Sequence, residues 1–354
     1  WFFTALTLVA ALATAVTYGL GGNLVIQGAI TLGTLLALVA LLAQLYGPLT
    51  ALSNVRVDIM TALVSFERVF EVLDLDPLVR EPAEPRALPS GALGVEFDSV
   101  SFTYPTAAEV SLASLESVAR EESVDSSEPV LRDVSFTAAA GSLTALVGPS
   151  GAGKSTMTAL VTRLYDPNDG AVRLGGVDVR EIARTDLRSA IGVVSQDAHL
   201  FHDTIGANLR YADPNVAADD LMQACEDAQI INLIEQLPDG LDTVVGDRGY
   251  RLSGGEKQRL ALARLFLKAP RVVVLDEATA HLDSENERLV QRALDSALDG
   301  RTSLVIAHRL STIKRADQIL VVDARRIIQQ GTHGELLAAG GMYETLYRTQ
   351  FSDG

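Results

Sequence analysis

The N-terminal part of the chain has no charged side chain before Arg56. A helix that crosses about 30 Å of hydrocarbon needs roughly 20 apolar residues, so residues 1–55 suffice for two crossings. We predict one span near Trp1–Tyr18 and a second near Ile30–Leu49. The turn between them is predicted at Gly19, Gly21, Gly22 and Asn23. The alternative, a buried hairpin of a soluble protein, is disfavoured because such helices seldom extend so far without a charge.

The second span is expected to continue as a water-facing helix to about Leu73, with a kink at Pro48. Apolar residues recur there at spacings of three and four, which is typical of one helical stripe. The stripe comprises Leu52, Val55, Ile59, Leu63, Phe66 and Phe70. Arg56 and Arg68 follow the span and favour its cytoplasmic side.

Four prolines predict a stiff linker at residues 76–93. A strand with a bulge or register shift should follow over Val95–Phe102 and end at Tyr104. Residues 106–128 are rich in acidic and serine side chains, which predicts a solvated insertion with room for one short helix. The chain opens on Trp1 inside an apolar run rather than on Met, so we expect an N-terminal truncation.

From Leu131 onward, strand, glycine turn and helix alternate, which predicts a mainly parallel sheet covered on both faces. The predicted strands are Ser142–Val147, Ile191–Val194, Arg271–Leu275, Thr302–Ile306 and Gln318–Val322. Helices are predicted over Lys154–Tyr165, Leu221–Ala228 and Lys257–Leu267. Ligands of such sheets bind beyond the carboxyl ends of the strands.

Composition excludes several classes of protein. The 354 residues include 29 basic and 45 acidic side chains, a balance of −16 that argues against nucleic-acid binding by phosphate attraction. The length suggests two or three domains. The only cysteine, Cys225, excludes an intrachain disulfide and a cysteine metal cluster, and we interpret it as a packing residue.

The run Gly148–Ser155 fits the pattern G-x-x-x-x-G-K-[ST] between a predicted strand and a predicted helix. Its glycines let backbone N–H groups approach phosphate oxygens, and the helix N-terminus favours anions. Lys154 should reach the β- and γ-phosphates of a nucleotide, and the Ser155 hydroxyl should ligate Mg²⁺. This run predicts nucleotide binding.

Two further segments extend the prediction. The strand that ends in Asp276 and Glu277 places one carboxylate to hold Mg²⁺ and the next to polarise an attacking water. Leu252–Glu256 is a second glycine turn before a helix, hence a second candidate anion site. Two phosphate-binding turns and one nucleotide suggest a site shared between two copies of the chain.

The order of these three segments resembles that of ATP-binding cassette (ABC) proteins. The resemblance implies that Gln196 contacts Mg²⁺ and the attacking water, that His308 touches the γ-phosphate, and that Asp283 crosses a dimer interface. It implies that Tyr104 stacks on adenine and that Gly246-Asp247 touches membrane-domain loops.

The residues that this resemblance assigns fall into three groups. The catalytic residues are Glu277, His308 and Gln196. The ATP-binding residues are Tyr104, Gly148, Ser150, Gly151, Gly153, Lys154, Ser155, Thr156, Ser253, Gly254, Gly255 and Asp283. The Mg²⁺ ligands are Ser155, Gln196 and Asp276.

Two spans and a long helix that lead into a cassette resemble the last third of an exporter's membrane domain. The implied fold class is an α-helical transmembrane segment of two spans, followed by an α/β P-loop NTPase domain of ABC type with a helical signature subdomain. The implied boundaries are 1–75 for the membrane helices, 76–93 for the linker and 94–354 for the nucleotide-binding domain. The helical subdomain is expected at about 197–265, and about four earlier spans would be missing.

Three features depart from the family pattern. Glu256 occupies a position where many relatives have glutamine, and His281 one that is usually small. The insertion at 106–128 follows Tyr104 closely in sequence, which makes Tyr104 the least secure contact.

The resemblance implies an ATP-driven exporter that hydrolyses ATP with Mg²⁺ at a head-to-tail dimer of cassettes. A homodimer is the simpler arrangement, and pairing with a related chain is the alternative. The uncharged spans suit a hydrophobic or amphipathic cargo such as a drug or lipid; a peptide or siderophore is the alternative cargo. We expect an integral protein of the plasma (inner) membrane with its ATPase domain in the cytoplasm, and no nucleic-acid partner.

Two other functions compete with this one. A soluble ABC ATPase that acts on ribosomes or DNA is disfavoured by the uncharged first 55 residues and the acidic balance. A non-transporting regulatory subunit is disfavoured by the intact catalytic set.

Overall fold

The structure, a computed structural model, describes residues 2–106, 128–195, 198–246, 250, 252–276, 284–307 and 309–350. The described chain divides into two compact units, one before Pro77 and one from Pro77 onward. The acidic insertion lies almost entirely outside the described residues.

The first unit is a pair of helices, Phe2–Ile26 and Leu32–Leu73. The second helix ends at Leu73, as predicted, and Pro48 lies inside it. The predicted turn at Gly19–Asn23 is wrong, because the first helix continues through these residues and the chain turns at Gln27–Ile30. Gly28 adopts a left-handed φ of 72°, and the Ala29 N–H donates to the Leu24 carbonyl at 2.9 Å, which closes the helix end.

One glycine of the first helix, Gly21, serves packing instead. A Cβ atom on Gly21 would lie 2.3 Å from Leu35 Cδ1, so glycine lets the two helices approach closely. Leu35 is accordingly buried, whereas most apolar side chains of the pair are exposed. Among the described residues, Thr7–Ile26 is long and apolar enough to cross a membrane, while the apolar stretch Leu32–Leu45 is shorter. The second predicted span therefore stays a prediction.

The second unit is built on a six-stranded sheet in the order β12-β11-β3-β10-β9-β6. Its strands are Leu143–Val147 (β3), Ile191–Val194 (β6), Val272–Asp276 (β9), Thr302–Ile306 (β10), Gln318–Asp323 (β11) and Arg326–Gly331 (β12). All pairings are parallel except that of β11 with β12. Ala145 and Val147 pack into one apolar core and Leu146 into another, so both faces are covered as predicted.

A second, antiparallel sheet in the order β2-β1-β4-β5 was not predicted from the sequence. Its strands are Val95–Phe102 (β1), Leu131–Ala138 (β2), Asp169–Leu174 (β4) and Val177–Asp178 (β5). The predicted register shifts of β1 are confirmed, and the strand ends at Phe102 rather than at Tyr104. Asp203–Thr204 (β7) and Val244–Val245 (β8) form a separate pair.

Short helices cover the sheets. They are Lys154–Val161, Arg184–Ala190, Ile205–Arg210, Ala218–Asp227, Ile231–Gln236, Gly254–Lys268, Ser284–Leu298, Leu310–Arg315, His333–Ala339 and Met342–Gln350. Single turns of 3₁₀ helix occur at Val179–Glu181 and Gly240–Asp242.

The helix that begins at Lys154 ends at Val161, four residues before the predicted Tyr165. Arg163 adopts a left-handed φ of 53°, and the Leu164 N–H donates to the Ala159 carbonyl at 2.9 Å. Such a helix-ending turn usually contains glycine, and arginine at this position is not a sequence signal for it.

Candidate functional site

The loop between β3 and the helix Lys154–Val161 requires glycine at two positions. Gly148 has a φ of 149°, and a Cβ atom there would lie 2.0 Å from the Val322 carbonyl oxygen. Gly153 has a φ of 107°, and a Cβ atom there would lie 2.6 Å from Leu131 Cδ2. No side chain caps the helix that follows Gly153. Its first N–H groups therefore remain available to an anion.

Lys154 places the positive charge of this loop. Its Nζ atom donates to the carbonyls of Gly148 and Pro149, both at 2.8 Å, and the side chain is buried. Burial lowers the pKa of Lys154, and the carboxylate of Asp276 opposes that shift. A buried ammonium beside uncapped N–H groups fits the recognition of a polyphosphate.

The strands bring their carboxyl ends to this loop. In the sheet, Ile306 of β10 lies opposite both Leu146 of β3 and Asp276 of β9. The Ala307 N–H donates to the Leu146 carbonyl at 3.1 Å, which fixes the end of β10 beside the end of β3. Asp276 therefore ends β9, which is separated by β10 alone from the strand that leads into the loop.

Four predicted site residues, Gln196, Glu277, His308 and Asp283, lie outside the described residues. The first three come directly or almost directly after β6, β9 and β10 in the sequence. Their assignments stay predictions. Asp247 of the predicted membrane-loop contact also lies outside, while Gly246 is described and has a φ of 101°.

Tyr104 lies against the helix that follows the loop. Its hydroxyl is 3.0 Å from Thr156 Oγ1, and its ring makes edge contacts with Phe102 and Tyr165 at centroid distances of 5.0 and 5.2 Å. The structure thus brings Tyr104 together with Thr156, two residues assigned to the same nucleotide.

The turn at Leu252–Glu256 begins the helix Gly254–Lys268. Ser253 Oγ accepts the Glu256 N–H at 3.4 Å, and the Glu256 carboxylate accepts the Ser253 N–H at 2.6 Å. Glutamate at this position thus fills the same capping role that glutamine would, since either side chain accepts this bond. Ser253 and Gly254 are exposed, whereas Gly255 is buried.

Ser155 and Asp276 are the two predicted Mg²⁺ ligands that the structure describes. The Ser155 hydroxyl is exposed, and the Asp276 carboxylate is half-buried at the end of β9. Mg²⁺ keeps several waters and takes one or two protein oxygens together with substrate phosphates. The described residues contain no cluster of three His, Cys, Asp or Glu side chains. Cys225 is buried, and its burial raises the pKa of the thiol to about 12.

The sequence did not predict a hydrogen-bond network that holds the helix following the turn at Leu252–Glu256. Arg264, on the helix Gly254–Lys268, donates to the carbonyls of His199 and Asn208, both at 2.8 Å. It also donates to Asn208 Oδ1 at 2.6 Å. The Asn208 amide is fully buried and bonds both the N–H and the carbonyl of Phe201 at 3.0 Å. A lone arginine in an amphipathic helix gives no sequence signal for such a role.

Residues 131–280 match the profile of the ABC transporter family. The chain is 45% identical to the ABC transporter aclQ of Aspergillus oryzae over 313 residues, 88% of this chain and 36% of that protein. It is 44% identical to an ATP-dependent lipid A-core flippase of Burkholderia thailandensis over 324 residues, 91% of this chain and 50% of that protein. The chain thus spans half or less of the length of these two relatives.

The fold is similar to that of a bacterial Atm1-family ABC exporter whose structure was solved with ATP bound. The TM-score is 0.79 and the identity 37%, over 99% of this chain and 58% of that one. The likeness extends over the N-terminal helices as well as the α/β unit.

Proposed function

Because the chain belongs to the ABC transporter family, we propose that it forms the ATPase domain and adjoining membrane helices of an ATP-driven exporter. One observation carries the proposal: buried Lys154 lies in a glycine loop at the carboxyl edge of the parallel sheet, where Asp276 also ends a strand. This arrangement suits a nucleoside triphosphate with Mg²⁺.

In the proposed reaction, the protein positions charges around the phosphates of ATP and does little covalent chemistry itself. The loop N–H groups and Lys154 hold the β- and γ-phosphates. Ser155, Asp276 and Gln196 are the proposed ligands of Mg²⁺, which would neutralise phosphate charge when bound. Glu277 polarises the attacking water, and His308 contacts the γ-phosphate.

The proposed site is shared between two copies. Ser253 and Gly254 are exposed at the start of a helix, so they are accessible to the nucleotide of a facing copy. Each ATP would lie between the loop Gly148–Thr156 of one copy and Ser253–Gly255 of the other. Binding closes the dimer, and hydrolysis followed by product release reopens it. A homodimer is the simpler arrangement.

The proposed location is a membrane, and the exposed apolar side chains of the helix Phe2–Ile26 support it. With the ATPase domain in the cytoplasm, export moves cargo away from it. We propose a hydrophobic or amphipathic cargo such as a lipid or drug. The apolar composition of both helices supports this class, and the flippases among the relatives are named for a lipid.

The ATPase activity of the purified complete gene product tests the proposal. Glu277→Gln should lower kcat by at least about a hundredfold, because it removes the base that polarises the water. The control is Glu235→Gln, the same chemical change at an exposed residue of the helix Ile231–Gln236. Full activity in Glu277→Gln would remove that residue from its proposed role.

Extraction tests the membrane assignment separately. A protein with spanning helices should resist salt and alkali and require detergent. Release by alkali alone would favour a peripheral or soluble ATPase.

A further inference from the structure

The segment after the long helix is fastened along the second unit, and we call residues 77–93 the strap. Arg184 Nη2 donates to the Val79 carbonyl at 2.9 Å, and Arg163 Nη2 donates to the Arg80 carbonyl at 2.8 Å. Farther along, Arg271 Nη1 donates to the Pro89 carbonyl at 2.5 Å. Three guanidinium groups thus hold main-chain carbonyls of a segment that forms no helix or strand.

The near end of the strap borders a cleft of about 430 Å³. Its lining includes Leu78 and Val79 of the strap and the aromatic side chains of Tyr104 and Tyr165. Asp166 and Asn168 add polar atoms to the lining. A cleft with aromatic rings, apolar side chains and a few hydrogen-bonding groups suits a planar heteroaromatic ring.

One lining residue of this cleft also contacts the helix that follows the glycine loop. Tyr104 lines the cleft, and its hydroxyl is 3.0 Å from Thr156 Oγ1 on the helix that follows the glycine loop. A nucleotide whose phosphates lie on that loop therefore has its base end near Tyr104. The base is the occupant that the position and the lining of the cleft favour.

Arg163 connects the strap to the rest of the cleft. Its side chain is only 5% exposed, and besides Arg80 it bonds Asp166 Oδ1 through Nε at 3.0 Å. Nη1 also donates to the Ile182 carbonyl at 3.4 Å. Arg163 lies in the turn that closes the helix Lys154–Val161, so one residue links that turn, the lining residue Asp166 and the strap.

We propose that the strap forms a wall of the nucleotide-base site and that Arg163 is the positioning residue that holds this wall. The inference rests on the proposed ATP-binding function. Leu78 and Val79 contact the base, whereas Arg163 acts through the strap and Asp166. The affinity for the base then depends on the strap, and the affinity for the phosphates does not.

Two probes separate these contributions: a non-hydrolysable ATP analogue, which has a base, and tripolyphosphate, which has none. Binding of each with Mg²⁺ is measured on the complete gene product in detergent. In Arg163→Gln the Kd for the analogue should rise roughly tenfold, as expected for the loss of charged hydrogen bonds. The Kd for tripolyphosphate should stay within about twofold.

Two further variants complete the experiment. Val79→Ser removes apolar surface from the wall and leaves every arginine in place. It should raise the Kd for the analogue roughly threefold and leave the Kd for tripolyphosphate unchanged. Arg86→Gln is the matched control, because Arg86 bonds the exposed carboxylate of Glu181 and does not line the cleft. It should bind both probes as the unmodified protein does.

The outcomes distinguish failure of the strap as a wall of the base site from failure of ATP binding itself. An equal rise in the Kd of both probes, in Arg163→Gln and in Val79→Ser, would mean that these residues have a general structural role, and it would overturn the inference. Unchanged analogue binding in Val79→Ser would overturn the strap as a wall of the base site, even if Arg163→Gln fails to fold. Failure of the unmodified protein to bind either probe would instead contradict the proposed function.

Discussion

Lys154 combines a cost to folding with a gain in binding. Burial lowers its pKa, which means that the folded state disfavours the charged side chain relative to the unfolded chain. A residue kept charged and buried against this tendency is typical of a functional site. Its two bonds to loop carbonyls hold the ammonium where a polyphosphate is expected.

We therefore predict that Lys154→Met abolishes binding of ATP and of tripolyphosphate without lowering the thermal unfolding midpoint. The change removes the charge that the phosphates need and relieves its desolvation. Lys268→Met is the control, because it makes the same chemical change at an exposed lysine that ends a different helix. Intact tripolyphosphate binding in Lys154→Met would contradict the assignment of the loop.

Gly153 is constrained both by its backbone and by its neighbours. Gly153→Ala should destabilise the second unit by about 2–3 kcal/mol, because it adds a left-handed φ penalty to a contact with Leu131. Thermal unfolding measures this. Gly334→Ala is the control: nothing lies within 4 Å of its added Cβ atom, and its helix should become more stable by up to about 1 kcal/mol. Equal midpoints for the two variants would show that the loop tolerates a side chain.

At the level of elements, the turn at Leu252–Glu256 depends on the helix Gly254–Lys268, which tertiary hydrogen bonds hold in place. Arg264 and Asn208 connect the helix Gly254–Lys268 to the segment at His199–Phe201. Burial lowers the pKa of Arg264, so its hydrogen-bond partners are needed to offset the cost of burying the charge.

Asn208→Ala should lower stability by about 2–3 kcal/mol, because it leaves the Phe201 backbone groups and one Arg264 donor without their partner. Urea unfolding of the complete gene product, followed by the fluorescence of a probe on the second unit, measures the change. Gln223→Ala removes an exposed amide that donates to Asp227 and should have little effect. A loss in Gln223→Ala as large as that in Asn208→Ala would refute the bracing role.

The sequence predicted elements where periodicity or a motif determines them. Strands Ile191–Val194 and Thr302–Ile306 agree with the prediction because buried parallel strands form continuous apolar runs. The glycine loop agrees because its spacing is fixed by phosphate geometry. Residues that act through tertiary contacts were missed: the role of Gly21 depends on Leu35, and that of Arg163 on a strap that precedes it by about 80 positions. The antiparallel sheet was missed because its strands are separated by the insertion and the loop helix.

At the level of the whole molecule, the shared site predicts complementation between two inactive copies. Lys154→Met and Ser253→Asp should each abolish ATPase activity of a homodimer; aspartate retains the helix cap but repels phosphate. Co-expressed with different tags and purified through both, the mixed dimer contains one site with both halves intact. It should recover a substantial part of the activity. Complete inactivity of the mixed dimer would mean that each site lies within one copy or that both sites must work together.

A transport assay examines ATP-driven export itself. The complete gene product is reconstituted in proteoliposomes, and ATP-dependent movement of a labelled lipid and of a labelled hydrophobic drug is followed, with Glu277→Gln as control. We expect movement of at least one probe that disappears in Glu277→Gln. Movement that persists in Glu277→Gln, or ATP hydrolysis with neither probe moved, would contradict ATP-driven export of a hydrophobic or amphipathic cargo.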